Sequence, residues 1–317
     1  MEISASMVKE LREKTGAGIM DCKKALSKTN GDLEKSIELL REKGLASAAK
    51  KVGRVAAEGL VSSYITADQK RGSLVEVNCE TDFVAKTDQF KNFVQELAEH
   101  IVENAPQSLS SEQEGAQAPY LMEQPMKNQK KVGDYLTEMV ASTGEKITIR
   151  RFARFEVKEN GLVQEYIHLG GKIGVLIELA FDRSDLNNSE EVQNLAKDLA
   201  MQVAAARPDY LRKSDVPEEV IEKEKNIYKA QAVNEGKPEA IAEKITLGRL
   251  GKLYKEICLE EQPFIKDDSL TVSKLVSETG KKLGAKLSIV RFARFEKGEG
   301  IEKKEEDFAS EIMSQIK

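Results

Sequence analysis

The residues whose types and spacing best suit an action on another molecule are Thr81-Asp82-Phe83-Val84-Ala85-Lys86, a large aromatic flanked by an acid and a base. Two readings are open for them. In one, Phe83 plugs a strand-to-helix corner while Asp82 or Asp88 caps the helix. In the other, Phe83 is a presented wedge, an apolar tip that a partner must accommodate. Covalent chemistry has little to work with. The chain has no Gly-x-x-x-x-Gly-Lys-Ser/Thr loop, no His-Glu-x-x-His and no nucleophile elbow. His100 and His168 are its only histidines, so a histidine triad has few candidates. Cys22, Cys79 and Cys258 are odd in number and far apart, which disfavours a disulfide framework and gives no metal-ligand spacing.

The elements that must hold the corner are readable on both sides. Leu74-Val75-Glu76-Val77-Asn78-Cys79 alternates as a half-buried strand does. Beyond the corner, Phe90, Phe93, Val94, Leu97 and Ile101 share one helical face. At 317 residues the chain suits two or three domains, and 40% hydrophobic with 32% charged residues exclude a wholly disordered one. The net charge of −5 provides no global basic field for nucleic acid. Tryptophan is absent and aromatics are scarce, leaving few stacking platforms for single strands. No apolar run reaches membrane-spanning length, and residues 1–6 carry no basic start or apolar signal core. The expected location is the cytoplasm.

An internal repeat sets the architecture. Tyr64-Ile65-Thr66 and Gly72-Ser73-Leu74-Val75-Glu76-Val77 recur at an offset of 102 residues, as Tyr166-Ile167-His168 and Gly174-Val175-Leu176-Ile177-Glu178-Leu179. Residues 144–156 recur at 284–296, an offset of 140, so 38 residues are inserted in the second copy. Each copy reads strand, strand, helix, variable connection, helix, strand. Strands are expected near 61–66, 74–79 and 146–156, then 162–168, 174–181 and 286–296; helices near 88–103 and 132–141, then 189–206 and 270–282.

Residues 1–45 read as a three-helix docking module, its first helix capped by Ser4 or Ser6 and its third capped by Asp32 and stopped at Gly44. Residues 46–58 are a small, basic linker, 59–158 the first core subdomain and 159–297 the second. Residues 106–130 form a loop with little regular structure. Residues 215–262 form a coiled-coil insertion, with Val220, Ile221, Ile227 and Tyr228 marking the outgoing helix, Leu247, Leu250, Tyr254 and Ile257 the return, and Asn234–Pro238 the turn between them. Residues 298–317 form a C-terminal helical module, with Phe308, Ile312 and Met313 on its apolar edge. Arg150, Arg151, Arg154, Arg291 and Arg294 alternate with apolar residues and line the outer faces of their strands. The fold class is therefore α+β, with two duplicated subdomains, small antiparallel sheets, an antiparallel helical arm and helical modules at both ends.

The two copies part at the corner: at the offset of 102, residues 81–86 face Arg183-Ser184-Asp185-Leu186-Asn187-Asn188. Phe83 aligns with Asp185, so the second copy keeps no equivalent plug, which favours the wedge.

Val77-Asn78-Cys79-Glu80-Thr81-Asp82-Phe83-Val84-Ala85-Lys86 closely resembles the signature of the elongation factor Ts family, nucleotide-exchange factors for the GTPase elongation factor Tu. Thr15-Gly16-Ala17-Gly18-Ile19-Met20-Asp21-Cys22-Lys23-Lys24-Ala25-Leu26 is similar to that family almost word for word. The resemblance implies a ubiquitin-associated-like fold for the opening module. It implies that Phe83 is driven between helices of the GTPase while Asp82 disturbs the contacts that hold its Mg²⁺, with Thr81 and Val84 positioning them. By the same resemblance Ile19, Met20 and Lys23 bind the partner's nucleotide domain, His168 contacts another part of the partner, and the tail helix touches it too. Elongation factor Tu is the implied partner; no cofactor, bound metal, membrane or direct nucleic-acid contact is expected. A higher-order complex with two copies stays open. The departures are Ile19 in place of a common methionine, Gly170-Gly171-Lys172 after His168, and the long loop of residues 104–130. The rivals are an enzyme, a pure adaptor, and an RNA-binding protein using the basic linker.

Overall fold

The computed structural model describes residues 3–15 and 17–302. Contacts divide the chain into two units: Met1–Ser62 with Val75–Phe152 and Glu296–Lys317, and Ser63–Leu74 with Ala153–Phe295.

In the first unit α1 (Ala5–Thr15), α2 (Ile19–Lys28) and α3 (Leu33–Lys51) enclose Val8, Leu11, Cys22, Ala25 and Leu26. Ser4 and Asp32 cap α1 and α3, their oxygens accepting the amides of Met7 and Lys35. Gly44 does not stop α3, which runs seven residues further, so the expected linker opens as helix as far as Lys51. The reason is tertiary: Gly44 faces α6 (Val132–Thr143), where a Cβ would meet Ala141 Cβ at 3.4 Å. Lys51 is buried and Arg54 Nη1 lies 3.3 Å from the Glu80 carboxylate, so the basic stretch is not an open cationic stripe.

Strands β1 (Glu58–Ile65), β2 (Arg71–Cys79) and β3 (Ile147–Glu156) form a sheet in the order β1-β2-β3. The central strand β2 is buried along nearly its whole length rather than half-buried. Its polar residues make that tolerable. Glu76 accepts Arg150 Nη1 at 3.0 Å, Arg151 Nε at 2.6 Å and the Gly298 amide at 2.8 Å. Asn78 Nδ2 donates to the Glu58 carbonyl at 3.1 Å. A short helix α4 (Asp82–Lys86) follows β2, then α5 (Asp88–Asn104), whose Phe90, Phe93, Val94, Leu97 and Ile101 are fully buried. The segment between α5 and α6 has a 3-10 turn, Leu121–Glu123, and two isolated β-bridges, Ser108 to Tyr120 and Pro125 to Lys131, and Leu121 and Met126 anchor it in the core.

The second unit repeats the plan. Strands β4 (Gly161–His168) and β5 (Ile173–Phe181) pair antiparallel from Gly161↔Ala180 to His168↔Ile173. They are followed by α7 (Glu190–Ala206), the arm helices α8 (Glu218–Asn234) and α9 (Glu239–Ile257), the two-stranded β6 (Pro263–Phe264) and β7 (Asp267–Thr271), α10 (Val272–Leu283) and β8 (Leu287–Glu296). The sheet order β4-β5-β8 mirrors the first. Equivalent helices end alike, with left-handed caps at Ala105 and Arg207 after α5 and α7, and at Gly144 and Gly284 after α6 and α10. The buried ion pair recurs as well, Arg291 Nε reaching Glu178 Oε2 at 2.7 Å. The expected outer arginines are therefore largely carboxylate partners of the sheets, and Arg154 likewise pairs with Glu156 at 2.7 Å.

The arm is an α-helical hairpin in which Leu250 of the expected apolar residues is buried and Val220, Ile221, Tyr228, Tyr254 and Ile257 are half-buried, but small residues join the seam. Ala232, Ala242, Thr246 and Leu250 are buried between its helices, whereas Leu247 is 66% and Ile227 40% exposed. Small residues let the helices approach closely, so Ile227 and Leu247 turn outward while Leu250 stays buried. The expected Phe308, Ile312 and Met313 edge lies outside the described residues. The α+β fold class matches the structure.

Candidate partner-binding site

The corner is built by two threonines and one distant carboxylate. Thr81 caps α4, its hydroxyl accepting the Val84 amide at 3.3 Å. Thr87 ends α4, donating to the Val84 carbonyl at 2.8 Å, and starts α5 by accepting the Phe90 amide at 3.3 Å. The caps are thus these threonines and not Asp82 or Asp88, which lie inside the helices as acids of the first turns. Asp82 pairs along the helix with Lys86, Oδ2 to Nζ 2.6 Å.

Glu145, at the foot of β3, holds the start of this corner. Its Oε1 accepts the Thr81 hydroxyl at 2.6 Å, and its Oε2 accepts the amides of Thr81 at 3.0 Å and Glu80 at 3.1 Å. Three charge-assisted bonds to one turn fix its backbone. Glu80 in turn accepts the Lys146 amide at 2.5 Å. Beneath the turn the Cys79 thiol donates to the Thr81 carbonyl at 3.1 Å.

On this braced turn Phe83 is 80% exposed. A benzyl group left in water costs roughly 2 kcal/mol relative to burial, and the corner plug is the neighbouring Ala85, which is buried. The corner-plug reading of Phe83 is therefore set aside. Asp82 and Val84 are half-buried beside it, and Thr81 lies under it as the cap.

Ile19 and Met20 open α2, 54% and 61% exposed, and Lys23 is exposed one turn on. The Gly18 cap before them offers no side chain to cover them. Large apolar residues exposed at a helix start suit contact better than core. His168 belongs to the second unit, at the exposed end of β4. Its Nδ1 lies 3.0 Å from the Tyr166 hydroxyl and its ring stacks on that tyrosine at 5.8 Å. Ile167 and the left-handed Leu169 beside it are exposed, so the β4–β5 tip is apolar.

The thiols are poor nucleophiles. Burial, with the Glu145 and Glu58 charges, pushes Cys79 up to about 12, and burial with Glu261 pushes Cys258 up to about 11. Among the described residues no cluster of His, Cys, Asp or Glu has metal-binding geometry, and no helix is long and apolar enough to cross a membrane.

Glu145 is the site residue that sequence reading misses. No local pattern marks it. The signal lies in the repeat, where the block 144–156 carries Glu145 and its copy carries Ala285.

Known proteins share this sequence over nearly its whole length. The family profile described as Elongation factor TS matches residues 80–299. The Elongation factor Ts of Clostridium perfringens (strain SM101 / Type A) is 53% identical over 310 residues, covering 98% of each chain. That of Clostridium acetobutylicum is 53% identical over 314 residues, covering 99% of this chain and 98% of its own. That of Clostridium botulinum (strain Eklund 17B / Type B) is 50% identical over 314 residues, covering 99% of both. Similarity of this extent spans the corner, both copies of the repeat and the arm, and the chain belongs to the elongation factor Ts family of translation elongation factors.

Proposed function

We propose that this chain binds elongation factor Tu·GDP and, as a nucleotide-exchange factor in the cytoplasm, promotes GDP release by distorting the phosphate and Mg²⁺ site, so that GTP can reload. No covalent step is required. A GTPase holds its nucleotide through backbone amides, a lysine and Mg²⁺ around the phosphates. A protein that binds the distorted, empty pocket better than the filled one must weaken nucleotide binding by the same factor that nucleotide weakens its own.

One observation carries the reading: Phe83 stands 80% exposed on a turn whose backbone Glu145 holds through three hydrogen bonds. A floppy loop would yield on contact, whereas a braced one transmits docking energy into the partner. In this reading Phe83 enters between helices of the GTPase and Asp82 competes for the groups around the metal. Thr81 and Val84 set their direction. Ile19, Met20 and Lys23 supply contact to the nucleotide domain, and His168, on the other unit, meets a second region of the same partner.

The test is Phe83→Ala. Factor-stimulated release of labelled GDP from elongation factor Tu should fall by about tenfold, within the usual range of coupling between sites. Thermal unfolding and complex formation should hold, because an exposed ring contributes little to the fold. Unchanged release with intact binding would remove the wedge.

A further inference from the structure

The contact residues of the opening module and the corner belong to the same unit, and a continuous line of contacts runs from one to the other. It starts at α2, where Asp21 follows Ile19 and Met20 directly and its carboxylate receives Lys43 of α3. Beside Lys43, α3 is seated on α6: Gly44 lies against Thr137 and Ala141, and Arg41 Nη2 reaches Asp134 Oδ1 at 2.5 Å. About two turns further on α3 ends, and Lys146 Nζ donates to the carbonyls of Val52 at 2.6 Å and Arg54 at 2.8 Å. A cation there meets the negative end of the helix. Arg54 then turns back, its Nη1 3.3 Å from both oxygens of Glu80, the same carboxylate that accepts the Lys146 amide at 2.5 Å. Glu80 adjoins Thr81, on the turn that presents Phe83.

The second copy of the repeat shows which of these ties the scaffold itself requires. At the offset of 140 Lys146 corresponds to Lys286 and Thr137 to Ser277. Lys286 keeps the backbone tie, its amide donating to Asp182 at 3.0 Å, but the residue is exposed, whereas Lys146 is half-buried. Ser277 is likewise exposed on α10, where Thr137 on α6 is half-buried beneath α3. The lysine's amide therefore serves the fold in both copies, and its ammonium ties down α3 in the copy that carries Phe83.

We propose that α3 is a strut holding the Ile19–Met20 surface at a fixed position relative to Phe83, and that Lys146 and Arg54 are the positioning residues that lock its end to the Glu80 turn. The inference rests on the exchange reading, whose two contact sets it joins. A seat at Arg41 and Gly44 alone is a pivot; a second fixed point two turns on stops the module from swinging. Stability is not what these ties supply, since Lys43 and Arg54 are exposed and pairs of that kind contribute little to folding. Their effect is on association. Two surfaces held at one spacing dock together, the second contact pre-organised by the first, whereas a swinging module has to be re-ordered at each encounter.

The test starts from the free chain. Spin labels at Lys28→Cys on α2 and Lys91→Cys on α5 report the distance from module to body by pulsed paramagnetic resonance, the three native thiols being buried. The otherwise wild-type chain should give one narrow distance distribution. Lys146→Met with Arg54→Gln should broaden it, and Lys146→Arg, which keeps a cation below both carbonyls, should leave it narrow. In stimulated GDP release the broadened variant should need about fivefold more factor for half-saturation, the loss expected when a second contact is no longer pre-organised, yet reach the wild-type rate at saturation. Phe83→Ala acts on the opposite quantity, so the two roles separate. An unbroadened distribution overturns the proposal, and so does a broadened one with unchanged half-saturation. A rate that stays low at saturating factor overturns it too, by placing the defect in the corner itself. A wild-type chain that releases no GDP sinks the exchange reading and this inference together, whereas the other three outcomes leave that reading standing.

Discussion

The corner after β2 and the corner after β5 sit at equivalent points of the repeat, and the scaffold beneath them is the same. Glu80 accepts the Lys146 amide at 2.5 Å; Asp182 accepts the Lys286 amide at 3.0 Å. Above that shared brace they diverge. The first adds the Glu145 clamp and exposes Phe83; the second has Ala285 in the clamp position. Its Asp185 pairs with Arg183 at 2.6 Å while Leu186 sinks into the core. The plugging role belongs to the residue beneath the tip in each copy, which frees the tip itself. A duplicated fold can thus dedicate one corner to a partner while the other shows what the scaffold requires for stability alone.

The comparison breaks most visibly at the paired carboxylates below the corners. Glu76→Ala should cost about 3 kcal/mol, because it leaves two arginines and a backbone amide around a buried gap. Glu178→Ala should cost roughly 1 kcal/mol, since Arg291 is 45% exposed and water takes over the pairing. Urea unfolding of the two variants measures both, and equal losses would show that the copies bear load alike.

The clamp gives the next largest effect. Glu145→Ala should slow factor-stimulated GDP release by about tenfold, the same scale as a change in site-to-site coupling, because Phe83 stays present but loses its fixed direction. Glu145→Gln keeps an acceptor for the Thr81 hydroxyl and should recover part of the rate. A Glu145→Ala chain that exchanges normally would confine the corner's function to Phe83 itself.

The smallest effect sharpens the contrast between the covered and open helix faces. Ser277→Arg should change unfolding free energy by no more than about 0.5 kcal/mol, as surface substitutions do. Its counterpart Thr137→Arg should cost about 2 kcal/mol by forcing α3 off α6. Thermal melts of the pair decide this, and a large loss from Ser277→Arg would mean that the α10 face is already filled.

Much of this was legible in the chain. Both repeat offsets place all six long strands, because alternation and turn residues survive duplication. The exposed phenylalanine was legible through its mismatch with Asp185. What escaped depends on contacts between segments distant in sequence. Gly44 reads as a stop until α6 is set against it, and Glu145 is an ordinary surface acid until β3 brings it under Thr81. Of the arm's seam Leu250 was legible, but Ala232 and Ala242 escaped because alanines carry little hydrophobic signal, although they decide how closely two helices approach. The β6–β7 hairpin was too short to leave a periodicity.

The carboxylate of Glu76 joins three stretches that the ribosome delivers at different times: β2, then β3 through Arg150 and Arg151, and last the Gly298 amide. During synthesis it stays short of partners until Gly298, 222 residues further along the chain, has emerged. Final consolidation of the first unit therefore waits on a residue that is made only after the second unit, which runs to Phe295.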